Sequence, residues 1–381
     1  MKAVAEICRL VKNRPAVLLI TAVFLIAAIS LNHVKKTELI NRTGQTFEKG
    51  TVVSVLQDNI QEDGTRVGEQ TVDVLMTTGI RKGTEIVMKS SAGYLFGAVC
   101  KPGMHVIVMQ SVAGKSTVSA VYSRDRGNVL LIFGALYILL LCLVGRRKGV
   151  RAAAGLLFTF GGVIYILIPM IYLGLSPVFS AVLICAVTTA VTFYFLGGIC
   201  RKTAAATAGT VAGVVAAGIA ATAFSAAAGI SGWNVSDIES LQTLWETNNI
   251  RIGGLLFGGI LISSLGAVMD VAMSVSSAME EICRQNPSIT RKELFAAGMR
   301  IGSDMMGTDS NTLILAFAGS EISVLVLDYA YDLPFLQVIN SNNIGIAVMQ
   351  GLSGSFGIVL CVPLTVLLSS LIFRGKDKAA A

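Results

Sequence analysis

The stretch GGLLFGGILISSLGAVMDVAMSVSSAM, residues 253–279, decides how this chain is read. It is apolar for long enough to cross a ~30 Å hydrocarbon core, which takes ~20 residues. A single charge interrupts it, Asp270. About forty residues later IGSDMMGTDSNTLILAFAG (301–319) carries Asp304 and Asp309 in a second apolar setting. A carboxylate near the middle of a lipid-embedded helix costs roughly 2.5–3.5 kcal/mol, so such groups face a protein interior or a wet cavity and mark function.

Working outward, the composition agrees. Of 381 residues 54% are hydrophobic and only 14% charged, and the mean hydropathy is +0.72, whereas a soluble chain has about a quarter charged residues. The expectation is an α-helical polytopic membrane protein of eight spans: 15–32, 128–145, 151–173, 177–199, 203–230, 252–279, 304–327 and 345–373. Every second connection is basic. Lys2, Arg9, Lys12 and Arg14 precede the first span, and Arg146, Arg147, Lys148 and Arg151 separate the second from the third. Arg201 and Lys202 follow the fourth, Arg284, Arg291, Lys292 and Arg300 follow the sixth, and Arg374, Lys376 and Lys378 end the chain. The positive-inside rule then puts both termini in the cytoplasm and residues 33–126 outside. The net charge of +7 is a topology signal; spread over loops, it forms no stripe for nucleic acid. The expected domains are 1–32 (cytoplasmic N-terminus and anchor), 33–126 (extracytoplasmic), 127–373 (seven-helix transmembrane) and 374–381 (cytoplasmic tail). Ala28-Ile29-Ser30 also reads as a signal-peptide cleavage site, but the apolar run is long for a signal and favours an uncleaved anchor.

Residues 33–126 have a different grammar. Thr51–Gln57, Gln70–Thr78, Thr84–Ser91, His105–Val112 and Thr117–Ser123 are rich in Val, Thr and Ile, with near period-two alternation. Turns at Glu62-Asp63-Gly64, Gly79 to Gly83, Lys101-Pro102-Gly103 and Ala113-Gly114-Lys115 separate them. Five short strands predict a small β-barrel of the OB or SH3-like kind, inserted after the first helix. Its few aromatics (Phe47, Tyr94, Phe96, Tyr122) provide no stacking platform, which leaves a docking or positioning module.

Cys100 alone of seven cysteines lies in that domain, so no disulfide forms within it. Cys142, Cys185, Cys200 and Cys361 lie in or beside spans and read as small hydrophobes. The two histidines, His33 and His105, are far apart, which argues against a zinc site or a His-based triad. No ATP-binding Gly-x4-Gly-Lys-Ser/Thr motif occurs. Neither an enzymatic motif nor a cofactor is expected.

Within the spans, Gly209 and Gly213, then Gly254 and Gly258, have GxxxG spacing and predict close helix packing. Pro169 and Pro363 are candidate kinks. On the sixth span Ser263, Gly266, Asp270, Ser274 and Ser277 recur at steps of three and four and line one face; Leu261, Leu265, Val268, Val271 and Val275 line the other. Thr290-Arg-Lys-Glu293 reads as a capping box. If helices meet the surface near Met279 and Arg300, Asp270 and Asp309 are each roughly 13 Å deep and Asp304 about 6 Å, at 1.5 Å per residue. Gly302, Gly307, Thr308, Ser310, Asn311 and Thr312 weaken the helix there and predict a broken span of the kind transporters use for ions.

MDVAMSVSSAMEEI (269–282), NPSITRKELFAAGMRIGSDMMGTDSNTLILAFAGS (286–320) and GLSGSFGIVLCVPLT (351–365) together resemble the YibE/F-like bacterial membrane protein family over roughly residues 125–375. The resemblance implies a multi-pass plasma-membrane protein with a transport-related role. Asp270, Asp304, Asn311 and Thr312 match the family's positions. The chain departs from it at Gly302-Ser303-Asp304, where the family has Gly-Arg-Asp, and at Asp309, where it has Met, so Asp309 stands on the depth argument alone.

The expected function is transport of a small solute or ion, with Asp270, Ser274, Asp304, Asp309, Asn311 and Thr312 as the binding set. The lipid bilayer is the expected partner, with a homo-oligomer or another membrane protein as further company and no nucleic acid. Three other readings stand beside it. In one, Asp270 merely orders the bundle through a serine on another helix. In another, a scaffold or sensor works through residues 33–126. A two-aspartate intramembrane protease is the last, although the Gly-x-Gly-Asp signature is missing.

Overall fold

The computed structural model describes residues 15–33, 44–61, 68–91, 97–113, 116–235, 238–248 and 250–373. The basic residues expected before the first span and in the tail, the turn at Glu62-Asp63-Gly64, Gly114 and Lys115, and Tyr94 and Phe96 lie outside the described residues. The chain divides into two compact units. One is Ile40–Leu140, and the other joins Met1–Leu39 to Leu141–Ala381.

The first unit contains β1 (Gln45–Gln57), β2 (Gln70–Met76), β3 (Glu85–Ser90), β4 (His105–Ala113) and β5 (Ser116–Arg124). They close into a barrel in the order β1-β2-β3-β5-β4. All neighbours are antiparallel except β3 and β5, which pair in parallel through Lys89–Ala120 and Ser90–Val121. That order, with one parallel pair, is the OB arrangement rather than the SH3-like one. The alternation expected from sequence is met in β2, where Val72, Val74 and Met76 point inward to join Val52, Met88, Val106, Val108 and Val121. Register shifts in β1 after Val52 and Val55 let it coil and pair with both β2 and β4. Two buried polar side chains close one gap between strands. Gln70 Oε1 accepts from Cys100 N at 2.7 Å, while Ser90 Oγ accepts from Ala98 N and donates to Ala98 O. His105 is a strand residue, its Nδ1 3.0 Å from Thr51 Oγ1.

The second unit is helical. In chain order it has α1 (Pro15–Leu31), α2 (Gly127–Gly162, beginning in the first unit), α3 (Ile168–Tyr172), α4 (Pro177–Gly197), α5 (Arg201–Ala228) and α6 (Ile238–Asn248). Then come α7 (Leu255–Gln285), α8 (Arg291–Ser320), α9 (Ile322–Ala330), α10 (Phe335–Ile339) and α11 (Asn342–Phe373). Among the described residues five helical stretches are long and apolar enough to cross a membrane, or six if α8 and α9, bent by 56° at Glu321, count as one. The first of the five, Gly127–Tyr172, has 46 residues. Straight, it would measure about 69 Å, twice a bilayer core. It is not straight. Arg146, at φ 47° and ψ −125°, turns the chain back so that Gly149 lies against the carbonyl of Leu141, where a Cβ would collide. This break falls in the Arg146-Arg147-Lys148 cluster that the sequence places between spans. Pro169 follows a π-helical turn, Val163–Leu167, whereas Pro363 sits within an unbroken α11.

One expectation is corrected. Residues 301–312 do not break: α8 runs through them from the capping box at Thr290 to Ser320, and the bend comes at Glu321 instead. Gly302 is not a helix breaker here but, like Gly298, a place of close approach. A Cβ on Gly298 would stand 2.8 Å from Met279 Sδ, and one on Gly302 would collide with Val362. Tertiary packing overrides the weak local propensity.

The core sits where α5, α7 and α11 meet, with Val214, Ala217, Leu261, Val268, Ile358 and Cys361 buried together. Both GxxxG pairs are contact points. A Cβ on Gly213 would lie 2.8 Å from Cys361 Cβ, and one on Gly254 3.0 Å from Pro177 Cδ. Lys202 at the start of α5 pairs with Glu280 near the end of α7 at 3.1 Å.

Candidate functional site

The two faces of α7 separate cleanly. Leu261, Leu265, Val268, Val271 and Val275 are all buried in the core. Ser263, Gly266, Asp270 and Ser274 are exposed on the opposite face, and Ser277 is half-buried. The spacing identified both faces. The sequence left open which one meets packed helices, and the apolar one does.

Asp270 therefore points away from the helix core, but not onto a featureless surface. It lines a cavity of about 580 Å³ between the part of α2 that follows Arg146, α4 and α7. From α2 come Leu156, Thr159 and Phe160; from α4, Ile184, Thr188, Thr192 and Phe193; from α7, Ser263, Met269 and Met273. Gly155 forms the wall of α2, where a Cβ would stand 2.9 Å from Thr192 Cγ2. Among the described residues no Lys, Arg or His lines the cavity. Thr159, Thr188 and Ser263 donate to carbonyls of their own helices (Gly155, Ile184 and Ile260) at 2.7–3.0 Å. Their oxygen lone pairs remain free to accept. Thr192 Oγ1 is buried with no hydrogen-bond partner.

Asp270 has no hydrogen-bond or ion-pair partner among the described residues, so no serine on another helix ties it into the bundle. One charged neighbour reaches it electrostatically, Asp309. That residue is half-buried on α8, two turns after Gly302 and on the face that packs inward. The other candidates lie elsewhere. Asp304 and Asn311 share an outward strip of α8 with Thr308; Thr312 is also exposed and donates to Thr308 O at 3.0 Å. Ser274 is exposed, one turn beyond Asp270, and outside the cavity lining. Of the six candidate residues, only Asp270 lines the cavity; Asp309 is linked to it by charge. The sequence reading missed the α2 and α4 contributions. Their one signal was the run Thr188-Thr189-x-x-Thr192, hydroxyls on a helix otherwise apolar.

A second cavity, about 620 Å³, lies between the end of α5 and the start of α11, with Asn340, Ser341 and Asn342 in its wall. Among the described residues no ionisable side chain lines it. Among the described residues no three His, Cys, Asp or Glu side chains group to hold a metal ion.

The class defined by these features is a multi-helix protein with helices of membrane-crossing length and one acid on a polar helix face, preceded by a small β-barrel. Residues 133–375 match the YibE/F-like protein family, and the chain belongs to it. No curated protein and no solved structure matches the chain.

Proposed function

We propose that this chain is a bacterial plasma-membrane transporter of a small solute or ion, with Asp270 as the group that binds the ion or proton. The observation that carries this reading is the position of Asp270: a charge on the exposed polar face of a long apolar helix, opening into a cavity and tied to no partner among the described residues. A carboxylate whose only job was to order the bundle would have a hydrogen-bond partner, since an unpaired one is expensive. Asp309 on α8 adds a like charge that reaches Asp270 electrostatically. Ser274, Asp304, Asn311 and Thr312 lie outside the cavity lining, so the proposal assigns the binding role to Asp270 alone.

In this reading the chain crosses the membrane eight times, with both termini cytoplasmic and the barrel outside. The turn at Arg146 supports counting residues 127–172 twice, and the bent α8–α9 pair supports counting it once. With α1 the total is eight. The test is reconstitution of the full chain in proteoliposomes under an imposed pH gradient. Asp270→Asn should leave expression and melting temperature nearly unchanged and abolish ion- or pH-dependent flux. Full flux in that variant would remove Asp270 from the mechanism, and loss of folding would return it to a structural role.

A further inference from the structure

The cavity beside Asp270 has a chemistry specific enough to name a class of occupant. Its single charged side chain is a carboxylate, and its hydroxyls, Thr159, Thr188 and Ser263, already spend their protons on their own helices. With those protons committed, the hydroxyls can act only as acceptors toward an occupant. Thr192 Oγ1 is buried and unpartnered in the same wall. Among the described residues nothing lining the cavity carries a positive charge, so an anion finds no partner there.

The remaining lining excludes a small hydrated ion as the whole occupant. Most of it is apolar, and the cavity holds about 580 Å³, within the range of about 300–1,000 Å³ usual for drug-sized organic ligands. Phe160 and Phe193 line it with aromatic side chains, and Met269 and Met273 with polarisable thioethers. Both surfaces suit a bulky cation whose charge is poorly hydrated. From this geometry we infer that the cavity binds a monovalent lipophilic organic cation, its charged centre at Asp270 and its apolar body between α2 and α4. The inference rests on Asp270 being the ion-binding group proposed above and adds the substrate class.

The experiment uses the purified full-length chain in lipid nanodiscs, with tetraphenylphosphonium as probe in equilibrium dialysis. Saturable binding is expected, weakened at least about tenfold by Asp270→Asn and largely kept by Asp270→Glu, which retains the charge. Thr192→Val should weaken binding a few-fold, and Glu239→Gln, at an exposed position of α6 outside the cavity lining, should leave it unchanged. Triphenylphosphine oxide, of similar bulk without charge, and the anion tetraphenylborate should not compete. Competition by the neutral analogue would overturn the cation assignment and point to a lipid acyl chain or a neutral solute. Absence of saturable binding, with flux in proteoliposomes still lost in Asp270→Asn, would sink the substrate class while leaving the transport reading in place. Equal binding by wild type and Asp270→Asn, with unchanged flux, would sink both.

Discussion

Gly213 of α5 and Cys361 of α11 meet with no room for a methyl group between them: a Cβ on Gly213 would stand 2.8 Å from Cys361 Cβ and 2.8 Å from Val268 Cγ1 of α7. Three helices thus converge on one missing side chain. One turn away, a Cβ on Gly209 would collide with Thr365. Overpacking a tight core costs typically 1–3 kcal/mol, while Gly→Ala within a helix returns about 0.5–1 kcal/mol of propensity. The packing term wins. Gly213→Ala and Gly209→Ala should each lower the melting temperature in detergent. Gly259→Ala, at an exposed helix position with nothing within 4 Å, should be neutral or slightly stabilising. Equal melting of all three variants would show that this interface has slack.

The barrel gives a pH prediction. Lys49 Nζ lies 2.9 Å from Asp125 Oδ2. That hydrogen-bonded ammonium, with Gly127 N–H donating at 3.1 Å, holds the Asp125 carboxyl below the usual carboxylate range. A lowered folded-state value means the contribution is complete above the unfolded value, about 3.9, and is lost as pH falls through the folded one. A fragment of residues 33–130 should show strand-dominated circular dichroism and a cooperative melt whose midpoint drops below about pH 4. In Asp125→Asn that acid-side drop should be smaller. An identical profile in both would assign the acid sensitivity to another carboxylate.

How much of this was legible in the sequence varies with the physics. The strands were readable because each carries its own signature: Val72, Val74 and Met76 alternate, and alternation survives without knowledge of partners. The reversal at Arg146 was readable because basic residues cannot sit inside a span. The continuity of α8 was not, since Gly298 and Gly302 look the same on paper whether they break a helix or admit Met279 and Val362. The cavity was half legible. Ser263 and Asp270 share one helix and therefore one period, but Thr159, Phe160 and Thr192 reach them only through tertiary packing.

The topology can be tested at two positions of the barrel. Ile80 is fully exposed in the turn after β2, whereas Cys100 is 2% exposed and burial pushes its thiol up, which makes it a poor nucleophile. In spheroplasts, a membrane-impermeant maleimide should label Ile80→Cys rapidly and Cys100 hardly at all before denaturation. Protection of Ile80→Cys until the membrane is permeabilised would put the barrel in the cytoplasm and reverse the orientation.

The last prediction concerns the outward strip of α8. Asp304, Thr308 and Asn311 are exposed there on a helix that reads as crossing the bilayer, where a lipid-facing carboxylate costs roughly 2.5–3.5 kcal/mol. Another surface has to cover them, and a second copy of the chain is the proposed one. An Asn side chain is both donor and acceptor, so Asn311 can pair with its own mate across a two-fold axis, as single polar residues do between paired helices. Such contacts in membranes contribute about 0.6–2 kcal/mol each. Asn311→Cys should then give a disulfide-linked dimer when native membranes are treated with a mild oxidant. Leu313→Cys, at a position 8% exposed against Gly354 of α11, should not. If Asn311→Cys stays monomeric while remaining reactive toward a water-soluble thiol reagent, the strip lines water and self-association through α8 is removed.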